Sequence, residues 1–325
     1  MRERRIAHAG GLQPPFGGRH RGRRLQTAGT GRREFPPPLA RRTLTMQLLR
    51  AGIVCLLLVS SLFAAPKGER VLVTAHSFHI FTAPRLAPLA QAAGIEGHKL
   101  VAAQMIGGSK VIQHWNLPDE KQKAKPLLSA GEVDVMTMSP HVYLPDEGID
   151  RFVELGAKAN PKLRFLVQHS WTPWDGWEGS DKVAKNEDRD TRSLDIVRAA
   201  NLKWRTNLEA QVAALNTKLG RDAVFITPVG DAVMKLRELI AAGKAPGLTK
   251  QTDLFTDQIG HGKEPILALA TYCNFACIYK VSPVGLKVPN ANLDKLSPEL
   301  DPLLRQIAWE TVTGYAKSGV KLVAK

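Results

Sequence analysis

Short apolar runs alternate with amphipathic stretches along residues 66–325. Five runs, at 71–74, 99–106, 133–138, 163–168 and 223–227, are brief, rich in Val, Leu, Ile and Met, and read as buried strands. Helical spacing of the apolar positions predicts helices over 85–93, 121–130 (interrupted early by Pro126), 149–159 and 232–242. A longer helix carries Val197, Ala200, Trp204, Leu208, Val212, Leu215 and Leu219 on one stripe at the 3.6-residue period. Two more, about 265–279 and 298–315, follow the last strand. Strands separated by helices imply right-handed parallel crossovers. The pattern therefore predicts a doubly wound five-stranded parallel sheet in a three-layer α/β/α arrangement. No solenoid repeat or long linker divides it, so 66–325 reads as one domain.

The upstream residues follow another pattern. Residues 1–45 hold 11 Arg and 2 Glu with no Lys or Asp, which puts +9 of the formal +15 in this segment. Rich in Arg, Gly and Pro, with Phe16 and Phe35 as its only aromatics, it cannot bury enough apolar surface to offset its ordering entropy and reads as a disordered extension. No aromatic interleaving or basic folded module follows it, so no nucleic-acid partner is expected. Residues 46–50 form a short basic start, and 51–65 an apolar run of 15 residues. That is short for a membrane span of ~20 residues and suits a signal peptide over 46–65. The expectation is an exported protein, periplasmic or extracellular, with no lasting membrane anchor. The 3 Cys can make neither a disulfide framework nor a four-cysteine zinc site. Cys273 and Cys277, four apart on an expected helix, read as buried small apolar residues. Oligomeric state is left open.

Ligands of doubly wound sheets sit beyond the carboxyl ends of the strands. Five of the seven histidines outside the tail fall there: His76, His79, His114, His141 and His169. A sixth, His261, lies in the loop Asp257-Gln258-Ile259-Gly260-His261. Ser77 sits at a strand-to-helix turn. A serine nucleophile needs a base within hydrogen-bond reach, a group orienting that base, and donors where the oxyanion develops. His261 can be the base, Asp257 its orienting acceptor, and Gly108 a backbone donor unobstructed by a side chain.

The order of these groups resembles the SGNH (GDSL-type) hydrolase family. The phrase His76-Ser77-Phe78, with Ile106-Gly107-Gly108-Ser109 and His114-Trp115 about thirty residues on, is similar to its secreted bacterial branches, and the likeness covers most of 71–280. The resemblance implies a flavodoxin-like α/β/α fold and a cofactor-free serine esterase. Ser77 matches the nucleophile and contributes its own N–H to the oxyanion hole; Gly108 matches the second-block glycine, and His261 the base. Three motifs differ. Gly-Asp-Ser-Leu is Ala75-His76-Ser77-Phe78. Gly-x-Asn-Asp after the third strand is Ser139-Pro140-His141-Val142, which puts His141 where an Asn donor stands. The final Asp-x-x-His is one residue longer, Asp257 to His261, requiring either a bulge or another orienting acceptor such as Asp253.

The expected reaction is hydrolysis of a small acyl ester, with acetyl on a carbohydrate as the specific expectation. His76, His79 and His114 are expected to bind substrate alongside Trp171, Trp174 and Trp177, whose indole faces can stack on sugars, with Asp175 and Glu178 as hydroxyl acceptors. The charged stretch 179–192 reads as a mobile flap or solvated connector. Two alternatives compete. One is a catalytically degenerate member that binds a glycan, which a separation above ~4 Å between Ser77 Oγ and every imidazole nitrogen would favour. The other is a metal-dependent hydrolase using His76, His79, His141 and His169 as ligands.

Overall fold

The computed structural model describes residues 66–176, 182–288 and 296–321. The Arg-rich extension, the expected signal peptide over 46–65, Trp177 and Glu178 lie outside the described residues.

Five strands form one sheet: Arg70–Ala75 (β1), Lys99–Met105 (β2), Val135–Met138 (β3), Arg164–Gln168 (β4) and Val224–Thr227 (β5). All neighbours are parallel and the order is β2-β1-β3-β4-β5. The helices are Thr82–Ala92 (α1), Val111–Trp115 (α2), Ala124–Ser129 (α3), Glu147–Ala159 (α4), Leu194–Leu219 (α5), Val229–Ala241 (α6), Glu264–Tyr279 (α7) and Leu300–Gly314 (α8). The expected elements are all present, and α2 is an addition. Its five residues are too few to show a helical period. Helix α1 begins three residues earlier than the periodicity suggests, because Pro84 is tolerated in a first turn whose N–H groups have no helical acceptor.

Period-two alternation along the strands builds the layers. Val71, Val73, Ala75, Val135 and Leu166 face a core shared with α1, α6, α7 and α8. Leu72, Met136, Met138, Phe165, Val167, Val224 and Ile226 face the opposite core, with α2–α5. Helix α7 is apolar on every side, with 14 residues buried, because α8 covers the face turned from the sheet. Cys273 and Cys277 are free thiols inside it.

The chain leaves β1 for the outer strand β2 and then crosses back to β3. With α1 on one face and α2 and α3 on the other, a crevice opens at the carboxyl ends of β1 and β3, the topological switch point. The turns after β1, β2 and β3 converge there. Among the described residues no helix is long and apolar enough to cross a membrane.

Candidate active site

Ser77 opens the turn between β1 and α1. Its Oγ lies 3.0 Å from His261 Nε2, and His261 Nδ1 lies 2.6 Å from Asp257 Oδ2. The carboxylate acceptor fixes the tautomer: Nδ1 carries the proton, so Nε2 is free to accept from the Ser77 hydroxyl. The extra residue between Asp257 and His261 is absorbed in a turn closed by the Asp257 side chain. Oδ1 accepts from Gly260 N–H (2.9 Å) and His261 N–H (3.2 Å). That turn puts Gly260 at φ +101°, which L side chains rarely adopt. Partial burial raises the Asp257 pKa, but the hydrogen bonds from the His261 ring and the two N–H groups outweigh it and hold the carboxyl below its usual value. Asp253 is not the orienting acceptor; it receives the N–H groups of Thr249 and Lys250.

A cavity of about 350 Å³ adjoins this triad. Its wall is mostly apolar: Phe78, Pro140, Val142, Pro173, Trp174, Trp204 and Ile259, joined by His76, Ser77, Gly107, Gly108, His141 and His261. Gly108 has φ +59° and open space where a Cβ would stand, so the glycine is required by backbone conformation rather than by crowding. Among the described residues, neither Ser77 N–H nor Gly108 N–H donates to a backbone carbonyl. His141 lies flat on Tyr143, ring centroids 4.9 Å apart, and its buried Nδ1 has no partner. Burial, assisted by the charges of Lys110 and Lys182, lowers its pKa, which favours the neutral imidazole with its single N–H.

Backbone hydrogen bonds hold the strand-end turns together. His76 Nδ1 accepts from Phe78 N–H (3.2 Å), so its Nε2–H faces Pro140 O (3.3 Å) and Ser139 Oγ (2.9 Å). This ring ties the Ser77 turn to the turn carrying His141. Burial above all drives its pKa down to about 3, and it remains neutral. Asp146 accepts from Val111 and Ile112 N–H at the start of α2 and from Gly148 N–H at the start of α4. One carboxylate thus anchors both the Gly108 loop and the segment following His141.

Several expected ligand-binding groups serve the scaffold instead. His79 is fully buried: Nε2 accepts from Thr137 Oγ1 (2.9 Å), and Nδ1 donates to Gln168 Oε1 (2.6 Å). Gln168 Nε2 then donates to Phe78 O (2.9 Å), supporting the residue after Ser77. His114 bonds Ser109 Oγ (2.8 Å) and bounds no part of the cavity. Trp171 is buried, stacked on Phe78 at 4.6 Å, with Nε1 donating to Gly260 O (2.8 Å). Trp174 does reach the cavity, but Asp175 is buried between Arg189 and Arg237 and offers a sugar nothing. The described part of 179–192 is mostly exposed, as expected of a solvated connector, but Val183 and Arg189 are buried.

Trp204, read in the sequence only as part of a helix stripe, is a wall residue, as are Pro140, Val142, Pro173 and Ile259. Pro140 and Val142 flank His141 and Ile259 lies in the Asp257–His261 loop, but nothing in those motifs marks the three as wall residues. The proposed metal ligands do not converge. His76 and His79 have both ring nitrogens engaged, and His169 Nε2 donates to Asn201 O (3.2 Å). Among the described residues no group of three or more His, Cys, Asp or Glu is arranged to hold a metal ion.

No protein-family model and no curated protein matches the chain in sequence. Solved structures similar to it include a DUF4886 family protein from Bacteroides uniformis, at 12% identity and TM-score 0.48, covering 78% of this chain and 97% of that one. A protein from Parabacteroides merdae assigned as a GDSL-like lipase has 12% identity and TM-score 0.39, covering 67% and 98%. An extracellular lipase from Streptomyces rimosus has 8% identity and TM-score 0.27, covering 50% and 81%.

Proposed function

We propose that this protein is a serine ester hydrolase of the SGNH type, with Ser77 as nucleophile, His261 as base and Asp257 as its orienting acceptor. The observation that carries the reading is the unbroken chain from Ser77 Oγ through His261 to Asp257, at 3.0 and 2.6 Å, on the wall of the switch-point cavity. The 3.0 Å separation also favours cleavage over glycan binding alone.

The reaction follows from the geometry. As Ser77 Oγ bonds to the acyl carbon, His261 Nε2 takes its proton and the carbonyl π electrons move to oxygen. The oxyanion is met by the N–H groups of Ser77 and Gly108 and by the neutral ring of His141. Collapse expels the alcohol, which leaves with the proton from Nε2. Water attacks the acyl-serine by the same route and releases the acid. Asp257 keeps Nδ1 protonated and faces the imidazolium while it exists.

The wall chemistry bears on the substrate. An apolar cavity of this size suits an uncharged acyl group longer than acetyl, each buried methylene contributing ~0.8 kcal/mol, or roughly fourfold in kcat/KM. A carbohydrate alcohol draws support only from Trp174 at the rim. The signal-like segment at 46–65 supports export of the enzyme.

The test is fluorophosphonate labelling of the protein and of Ser77→Ala, with turnover of p-nitrophenyl esters from acetate to octanoate. Labelling and turnover that vanish together in the variant are expected, with kcat/KM rising beyond acetate. A wild-type protein that neither labels nor turns over any ester overturns the reading.

A further inference from the structure

We infer that Arg189 is a positioning residue for the catalytic base, holding the 257–261 loop in register with Ser77 and with the cavity wall; this rests on the serine-hydrolase reading. The loop carrying Asp257 and His261 belongs to no helix or strand. Each of its five carbonyls nevertheless has a donor. Arg189 Nη2 donates to Gln258 O (2.6 Å) and Asp257 O (3.3 Å). Trp174 N–H donates to Ile259 O (2.9 Å), Trp171 Nε1 to Gly260 O (2.8 Å), and Thr256 N–H to His261 O (2.8 Å). Arg189, Trp171 and Trp174 all come from the segment between β4 and α5.

Charge explains why this arrangement is fixed. Arg189 and Arg237 are both buried around a single carboxylate, Asp175. Arg237 takes both oxygens of Asp175, at 2.8 and 2.7 Å, while Arg189 shares Oδ1. Two buried cations share one bonded anion, and the further carboxylate acting on Arg189 is that of Asp257 in the base loop; without it the excess positive charge would be costly in a low-dielectric interior. The ring of Phe255 faces both guanidinium groups, at 4.5 and 5.6 Å, and the Asp257 and Gln258 carbonyls complete the shell of Arg189. The cluster is therefore satisfied only with the base loop seated. Its anion also neighbours the cavity: Asp175 and Trp174 are consecutive, both in left-handed backbone (φ +55° and +54°) that non-glycine residues rarely adopt. One buried cluster thus holds a wall residue and the base together. A Cβ on Gly260 would stand 3.3 Å from Arg189 Nη2, so the turn that brings Asp257 to His261 is shaped against this guanidinium.

Arg189 bounds no part of the cavity and touches neither Ser77 nor the His261 ring, so its effect passes through the loop. Its signature is a fall in kcat with KM little changed, because misplacement by an ångström costs on the order of 10²-fold. The experiment compares Arg189→Gln and Arg189→Lys with Arg305→Lys. Arg305 is also buried and donates to the carbonyls of Pro283 and Leu286, away from the cavity. Readouts are kcat and KM per fluorophosphonate-titrated site, the melting temperature, and the downfield proton resonance of His261 Nδ1–H bonded to Asp257. Expected results are a kcat about 10²-fold lower for Arg189→Gln, partial recovery in Arg189→Lys, and loss or broadening of the resonance in Arg189→Gln. Arg305→Lys should lower only the melting temperature. Arg189 variants that keep wild-type kcat per titrated site and the resonance overturn the inference while leaving the hydrolase reading standing. If Arg189→Gln does not fold, Arg189→Lys decides by the same two readouts. If the wild type is inert toward esters, the hydrolase reading falls and the catalytic role of Arg189 falls with it.

Discussion

Acidification should unfold this protein through its buried histidines. His76, His79 and His169 have at most 6% of their surface exposed, and burial above all lowers their pKa values to about 3, about 4 and about 4. In the unfolded chain each returns to ~6.5. The sign follows: below ~6.5 the unfolded state binds protons that the folded state refuses, so stability falls as pH falls and is fully present only above that value. Each proton contributes ~1.4 kcal/mol per pH unit within the window. Between pH 7 and pH 5 the three groups remove about 2 kcal/mol each, roughly 6 kcal/mol together, a large share of the ~5–15 kcal/mol typical of a domain. His114, likewise held down by burial at about 4, adds in the same sense. Asp146 and Asp150, raised chiefly by burial, act in the opposite sense. Urea unfolding at half-unit intervals from pH 7.5 to 5 should give a slope that steepens from near zero at pH 7.5 to about three protons near pH 5, and His79→Gln should reduce the slope at the acid end by about one. A free energy of unfolding that stays flat across this range would refute the burial argument.

Two further substitutions test the site and its support. Asp257→Asn keeps the shape of the loop but removes the charge facing the imidazolium, so kcat should fall by about 10²- to 10⁴-fold with the melting temperature little changed, as steady-state kinetics and circular dichroism will show. Gly148→Ala would place a Cβ 2.2 Å from Ile112 N and 2.3 Å from Val111 C, both backbone atoms at the start of α2. Because neither can yield cheaply, a loss of about 3 kcal/mol or more is expected in urea unfolding. The movement should also lower kcat through the neighbouring Gly108 loop.

The linear pattern of apolar positions was enough to determine the five strands, most of the helices and the α/β/α class, because burial on two faces dictates those periods locally. It also singled out residues that the fold brings to one cavity. Ser77, Gly108, His141 and His261 follow strand ends or lie in a late loop, and topology sends such positions to one edge of the sheet. The sequence could not determine which strand-end histidine faces the cavity. His76 and His79 are three residues apart in one turn, yet one ring bounds the cavity and the other is sealed between β3 and β4. Nor did the sequence show that Asp175, read as a hydroxyl acceptor, and Arg189, one charge in a charged stretch, are buried together. Their burial depends on Arg237, 62 positions from Asp175, and on carbonyls 68 and 69 positions from Arg189. The one-residue change in the Asp257–His261 spacing likewise acquires meaning only where Ser77 arrives from 184 positions away. Local patterns fix which residues pair with the backbone and which leave water. Only the packed chain decides which polar groups meet, because the desolvation cost of each is set by neighbours that are distant in sequence.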